Sequence, residues 1–199
     1  MRMKGLLYCL ALCCVIAQAA APSIIAGSPA LNFSLQDVNG KTVRLDQYYG
    51  KIIVLEWRDP RCDYVQKYYQ THTMQALQKK YTEQNGVIWL TILVGAHHDK
   101  VALYGTNELL DPAREVTELY GITKLPEVVI INATGFVVYR GAVDSIRSSK
   151  PEDVSRATIN YIANSLDALI TNNPVSISHT RPFGCDAMAF KPAGFHKVV

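Results

Sequence analysis

Cysteine thiolates attack disulfides and peroxides and bind soft metals, so the search for chemistry in this chain starts at its cysteines. There are five. Cys62 stands in EWRDPRCDYVQKYY (56–69), behind an apolar run and ahead of a helical pattern. Cys185 stands in RPFGCDAMAF (181–190), near the end of the chain. Cys9, Cys13 and Cys14 fall within MRMKGLLYCLALCCVIAQAA, where they serve as apolar filler. That opening has a basic start (Arg2, Lys4), an apolar run from Gly5 to Ile16 and an A-x-A close at Ala17-Gln18-Ala19. It reads as a secretory signal peptide, its apolar run being short of the about 20 residues of a membrane span. A lipoprotein signal would need a small residue before the modified cysteine, and Tyr8, Leu12 and Cys13 are not that. Cleavage after Ala19 leaves 180 residues with two cysteines, 18 basic and 17 acidic side chains. Two cysteines in an exported chain either pair or do redox chemistry, and a purely structural disulfide is an equal reading of the count.

The other reactive side chains offer less. His72 lies ten residues beyond Cys62, about 15 Å away on a continuous helix, too far to act as its base. His97-His98-Asp99 follows a strand pattern; adjacent side chains diverge, so this reads as a solvated loop rather than a metal site. No metal or cofactor is expected. A formal charge of +1 after cleavage gives no basic face for nucleic acid and no reason to seek a membrane surface beyond the signal peptide. Tyr64, Tyr68, Tyr69 and Tyr81 read as packing residues, of which Tyr64 is near enough to Cys62 to shape a substrate groove.

These residues must be positioned by the elements around them. LNFSLQDVNGKTVRL reads as a hairpin turning at Asn39-Gly40, and KIIVLEW (51–57) as a buried strand. A helix is expected from Asp63 to about Tyr81, then a second buried strand over GVIWLTILV (86–94). Asp111-Pro112 opens a short helix that stops at Gly121. LPEVVIINATGFVVYRG reads as a second hairpin, turning at Ala133–Gly135. Ser149-Lys150-Pro151-Glu152 matches a capping box for a last helix carrying Val154, Ala157, Tyr161, Ile162, Leu166, Leu169 and Ile170. Alternating strands and helices with a late hairpin predict an α/β fold with a mixed central sheet and helices on both faces. The expected organisation is a signal peptide (1–19), one domain (20–170) and a turn-rich C-terminal tail (171–199) carrying Cys185.

The order and spacing of these pieces resemble the thioredoxin-like fold, specifically the redoxin branch (AhpC/TSA, peroxiredoxin-like). SPALNFSLQDVNGKTVRLDQYYGKIIVLEW resembles redoxin openings. YGITKLPEVVIINATGFVVYRGAVD resembles the segment with a cis-proline, a hairpin and an Arg-Gly step. CDYVQKYY and the late Gly-Cys of RPFGCDAMAF resemble a peroxiredoxin-like subgroup. The resemblance implies a three-layer α/β sandwich, with Cys62 an accessible thiol at the mouth of a helix just beyond a central strand. There the helix N-terminus favours the thiolate. Arg58 and Arg61 would add positive charge; Asp63, where relatives usually carry proline, would oppose them. It also implies a cis Leu125–Pro126 bond facing the cysteine, with Leu125 offering backbone polar groups to a bound partner.

The sequence departs from the family's patterns. Val65 stands where a C-x-x-C motif has its second cysteine, and Gln66 where a copper-delivering C-x-x-x-C motif does. Cys185 would substitute if the tail folds back. Asp59 and Leu55 stand where a peroxidatic cysteine has a hydroxyl residue and a proline. The expectation is therefore an exported (periplasmic or secreted) thiol-disulfide oxidoreductase. Cys62 attacks a protein or small-molecule disulfide, Leu125, Pro126 and Tyr64 hold the partner, and Cys185 or an external thiol reductant resolves the adduct. A thiol peroxidase using Cys62 and Cys185 on a peroxide is one alternative; a non-catalytic binding module with a structural disulfide is the other.

Overall fold

The computed structural model describes residues 24–95 and 107–189. The expected signal peptide (1–19) and the solvated loop expected at His97-His98-Asp99 lie outside the described residues. In chain order the elements are β1 (Ser34–Asp37), β2 (Thr42–Arg44), β3 (Ile53–Arg58), α1 (Asp63–Gln70), α2 (Thr73–Asn85), β4 (Ile88–Val94), β5 (Glu108–Asp111), α3 (Glu115–Leu119), β6 (Lys124–Leu125), β7 (Glu127–Ile131), β8 (Val137–Gly141), α4 (Tyr161–Ile170) and β9 (Cys185–Asp186).

Seven strands form one sheet in the order β2-β1-β5-β4-β3-β7-β8. The apolar runs β3 and β4 pair in parallel at its centre, with β5 parallel beyond β4; β7 and β1 add antiparallel pairs on either side. Both central strands are buried almost throughout, as their mainly apolar sequences favour, with Glu56, Arg58 and Thr91 the polar exceptions. Successive residues of a strand face opposite sides, and β3 shows what covers each. Glu56 meets Tyr69 of α1 and Gln78 of α2, whereas Trp57 packs on Tyr120 at the end of α3, ring centroids 5.1 Å apart. Helices thus cover both faces, as expected.

Three local expectations are corrected. The helix from Asp63 does not run through to Tyr81: it breaks at Thr71-His72. The Thr71 hydroxyl donates to the Lys67 carbonyl (2.8 Å), and His72 takes a left-handed φ of 56° before α2 starts. The capping box does not cap: residues 151–156 form a 3-10 turn with no side-chain cap. The chain then returns to the stretch just beyond β8, Tyr161 N–H donating to the Val143 carbonyl (3.0 Å), and α4 starts afresh with the Asn160 side chain accepting from Ala163 N–H (2.9 Å). The first hairpin turns through residues 38–41 rather than two residues, because the Asp37 carboxylate accepts from both Asn39 and Lys41 N–H at 2.8 Å. The predicted cap at Asp111 works from the end of a strand. Its carboxylate accepts from Thr117 N–H (2.8 Å) and the Thr117 hydroxyl (2.6 Å).

One polar cluster crosses the core. The Glu56 carboxylate accepts from the Tyr69 hydroxyl (2.7 Å) and Trp89 Nε1 (2.9 Å), and buried Arg58 pairs with Glu108. Burial, the largest influence, raises the Glu56 pKa above its ordinary 4.5. The folded chain therefore holds this proton more tightly than the unfolded chain does. The resulting stability is complete below 4.5 and is lost as pH rises from there toward the raised value. Glu56→Gln, which cannot ionise, is expected to flatten that decline, leaving the share of Glu127 and Asp144, whose pKa values burial also raises. Urea midpoints across the acid-to-neutral range check this; an unchanged slope would contradict it.

Candidate active site

Behind the end of β3 the chain makes a tight turn that fixes Cys62. The Asp59 carboxylate accepts from Arg61 N–H (2.8 Å) and Arg61 Nε (2.9 Å), and Asp59 carbonyl accepts from Cys62 N–H (3.0 Å). Gln66 Nε2 reaches back to the Pro60 carbonyl at 2.9 Å. Cys62 is thereby the N-cap of α1, its own carbonyl accepting from Val65 and Gln66 N–H, each at 2.9 Å. The sulfur thus sits at the positive end of a helix and outside the carboxyl end of a central strand, where open α/β sheets place their sites.

Leu125 and Pro126 complete this corner. Their peptide bond is cis, and the Leu125 carbonyl oxygen lies 3.5 Å from the Cys62 sulfur. Cys62 is disulfide-bonded to Cys185, with Cα atoms 5.9 Å apart and a sequence separation of 123. Cys185 does fold back, and it does so as a strand. β9 pairs antiparallel with β6, Cys185 opposite Leu125 and Asp186 opposite Lys124.

An accessible Cys62 was expected; the structure seals it. Its exposure is 0 %, whereas Cys185 is half-buried. The physical reason is the tail itself, which lies across the corner. Tyr64 stands beside it, as expected, with its ring edge-on to Phe183 at 6.3 Å between centroids.

The charged residues divide differently from expectation. Arg58 is buried against Glu108 and over the Tyr69 ring, 4.7 Å from its centroid. Arg61 is held by Asp59, which keeps its guanidinium above its ordinary pKa through their hydrogen bond. Each arginine thus meets a carboxylate that offsets its charge. Asp63 is exposed in the first turn of α1. Arg140 Nε is paired with Glu127 (2.7 Å), and its two other nitrogens donate to the carbonyls of Ile24 (2.9 Å) and Gly121 (2.8 Å).

Sequence reasoning missed Lys67, Arg147 and Phe183. Lys67 is a lysine on the buried side of α1; its Nζ donates to the carbonyls of Ile146 (2.8 Å) and Ser148 (2.7 Å), and burial lowers its pKa. Lys67 Nζ and the Arg147 guanidinium each lie 5.6 Å from the centroid of the Phe183 ring. The available signal was an aromatic residue two places before Cys185 in a turn-rich tail. Among the described residues no group of three or more His, Cys, Asp or Glu is placed to hold a metal.

The comparisons with known proteins agree on family and fold. The model of the AhpC/TSA family matches residues 26–140, which include Cys62 and stop short of Cys185. The chain is 34% identical over 122 residues to the thiol-disulfide oxidoreductase ResA of Bacillus subtilis (strain 168), covering 58% of this chain and 66% of that protein. It is 29% identical over 121 residues to ResA of Halalkalibacterium halodurans, covering 57% of this chain and 66% of that one. The match thus spans just under two thirds of the length of these relatives. Among solved structures, an uncharacterised conserved protein from Geobacillus kaustophilus superposes with a TM-score of 0.70 at 23% identity, covering 88% of this chain and 95% of that one. A hypothetical protein from Sinorhizobium meliloti 1021 gives 0.69 at 20%, covering 87% and 98%. These share the fold.

Proposed function

This chain belongs to the AhpC/TSA family, a thioredoxin-like redoxin, and from that premise we propose that it is an exported thiol-disulfide oxidoreductase whose redox couple is Cys62 and Cys185. The observation that carries the reading is the Cys62–Cys185 disulfide at the N-cap of α1, against Leu125 and Pro126. The similarity to ResA supports the chemical class. The signal-peptide pattern of residues 1–19 supports export to a periplasm or the exterior.

In the reduced protein the Cys62 thiolate attacks one sulfur of a partner disulfide. A Cys62–partner S–S bond forms, the partner's own S–S bond breaks, and one partner thiolate leaves with the electron pair. The Cys185 thiolate then attacks the Cys62 sulfur, the mixed disulfide breaks, and the second partner thiolate leaves. Two electrons pass to the partner, and an external thiol reductant restores the dithiol. The end of α1 stabilises the thiolate. Arg58 and Arg61, each offset by a carboxylate, add little, and Asp63 opposes. Leu125, Pro126 and Tyr64 line the corner where the partner sulfur must arrive.

A peroxidase needs a donor for the peroxide oxygen, and the residues nearest that role are engaged: Asp59 holds Arg61, and Arg140 holds Glu127 and two carbonyls. The test is to mix the reduced protein with an equimolar aromatic disulfide. We expect two thiols released per chain and a protein mass back at that of the internal disulfide, without adduct. Inert thiols would favour a binding module, and oxidation by hydrogen peroxide far faster than that of free cysteine would favour the peroxidase.

A further inference from the structure

The tail does more at this corner than deliver a sulfur. Phe183 rests among Tyr64, Lys67 and Arg147, a ring flanked by one aromatic edge and two cations. Gly184 lies so close to the strand beside it that a Cβ at this position would collide with the Leu125 carbonyl oxygen. Its φ is +129°, which side-chain-bearing residues rarely adopt. Cys185 and Asp186 pair backbone to backbone with β6, and Ala187 N–H donates to the Thr123 carbonyl at 3.0 Å. An aromatic, a glycine and a cysteine in an extended segment thus fill one pocket, one tight crossing and one sulfur position. This is recognition by strand addition, in which the main chain supplies affinity and side-chain pockets supply specificity. The tail lies beyond residues 26–140, so the fit belongs to this chain and not to the matched family segment.

We propose that Phe183-Gly184-Cys185 is an internal copy of the partner: the site takes an extended, cysteine-bearing protein segment with glycine before the cysteine and an aromatic residue before the glycine, and tail and partner compete for one seat. The proposal rests on the oxidoreductase reading and adds a selection rule and a means of release to it. When Cys185 attacks the mixed disulfide, its strand re-pairs with β6 and displaces the partner segment from the same groove. Attack on the Cys62 sulfur is in line with the bond that breaks, so the sulfur exchange comes first and the tail takes the backbone seat as the partner leaves it.

The probe is the peptide TRPFGCDA, its cysteine carried as a mixed disulfide with nitrothiobenzoate. It is offered to the full-length Cys185→Ser protein. The Cys62 thiolate attacks the peptide sulfur, and nitrothiobenzoate leaves with the electron pair, so absorbance reports the rate and mass the adduct. The parent peptide is expected to react roughly tenfold faster than versions with alanine for phenylalanine or valine for glycine. Adding Phe183→Ala to the protein vacates the pocket and should raise the parent's rate further. Equal rates for all three peptides, with Cys62 still reactive toward a small disulfide, would overturn the selection rule and leave the oxidoreductase reading standing. A Cys62 inert to the small disulfide as well would overturn both.

Discussion

Cys62→Ser is expected to end disulfide turnover, and Cys185→Ser to halt it halfway. The difference follows from position. Cys62 caps α1 and faces the Leu125 carbonyl, so it is the sulfur held by the fold; Cys185 rides on a two-residue strand of the tail. A serine hydroxyl has too high a pKa to replace the thiolate, so Cys62→Ser should fall to the background rate of exchange in solution. Cys185→Ser keeps the first attack and loses the second, so one partner molecule per chain should accumulate as a stable adduct on Cys62. Mass spectrometry under non-reducing conditions reads both. Adduct on Cys185 in the Cys62→Ser protein, formed as fast as on Cys62 in the converse variant, would reverse the assignment.

Reduction of the bond is expected to cost the folded state about 2–4 kcal/mol, the typical range, below the about 5 kcal/mol that the chain-entropy model gives for so long a loop. The loop spans 123 positions and encloses every strand from β4 to β8. For a domain of this size each kcal/mol moves the melting temperature by roughly 2–4 °C, so a fall of about 5–15 °C is expected on adding dithiothreitol. Cys185→Ser should reproduce the fall without reductant. Scanning calorimetry on oxidised, reduced and variant protein measures it. An unchanged melting temperature would mean that the tail's seat holds the closed loop without the bond.

The central architecture is legible in the sequence because β3 and β4, six and seven residues long, are dominated by apolar and β-branched side chains with no helical pattern to compete. The two candidate redox positions are legible by subtraction, once three of the five cysteines are assigned to the expected leader. What resisted reading has a common cause. β5 spans four residues, β6 and β9 two each, too short to show a period of any kind. The break at Thr71-His72 depends on a hydroxyl bonding backward to Lys67, a choice that helical spacing does not register. Lys67 reads as a solvated residue between tyrosines, and only the carbonyls of Ile146 and Ser148, distant in sequence, make its burial tolerable. The burial of Cys62 likewise depends on a segment more than a hundred residues away.

The crossing at Thr180 governs what happens after the bond opens. Thr180 N–H donates to the Arg140 carbonyl (3.1 Å), its hydroxyl accepts from Ala142 N–H (2.9 Å), and Gly141 alone leaves room for it, since a Cβ there would collide with the Thr180 carbonyl. None of these contacts involves a sulfur. A reduced tail therefore swings on a leash fastened at Thr180, and the five positions to Cys185 reach at most about 17 Å. So short a leash keeps the freed thiol at an effective local concentration on the order of millimolar. On the proposed chemistry, a soluble thiol below that level would lose the race to Cys62, and a covalent complex with a partner would be brief.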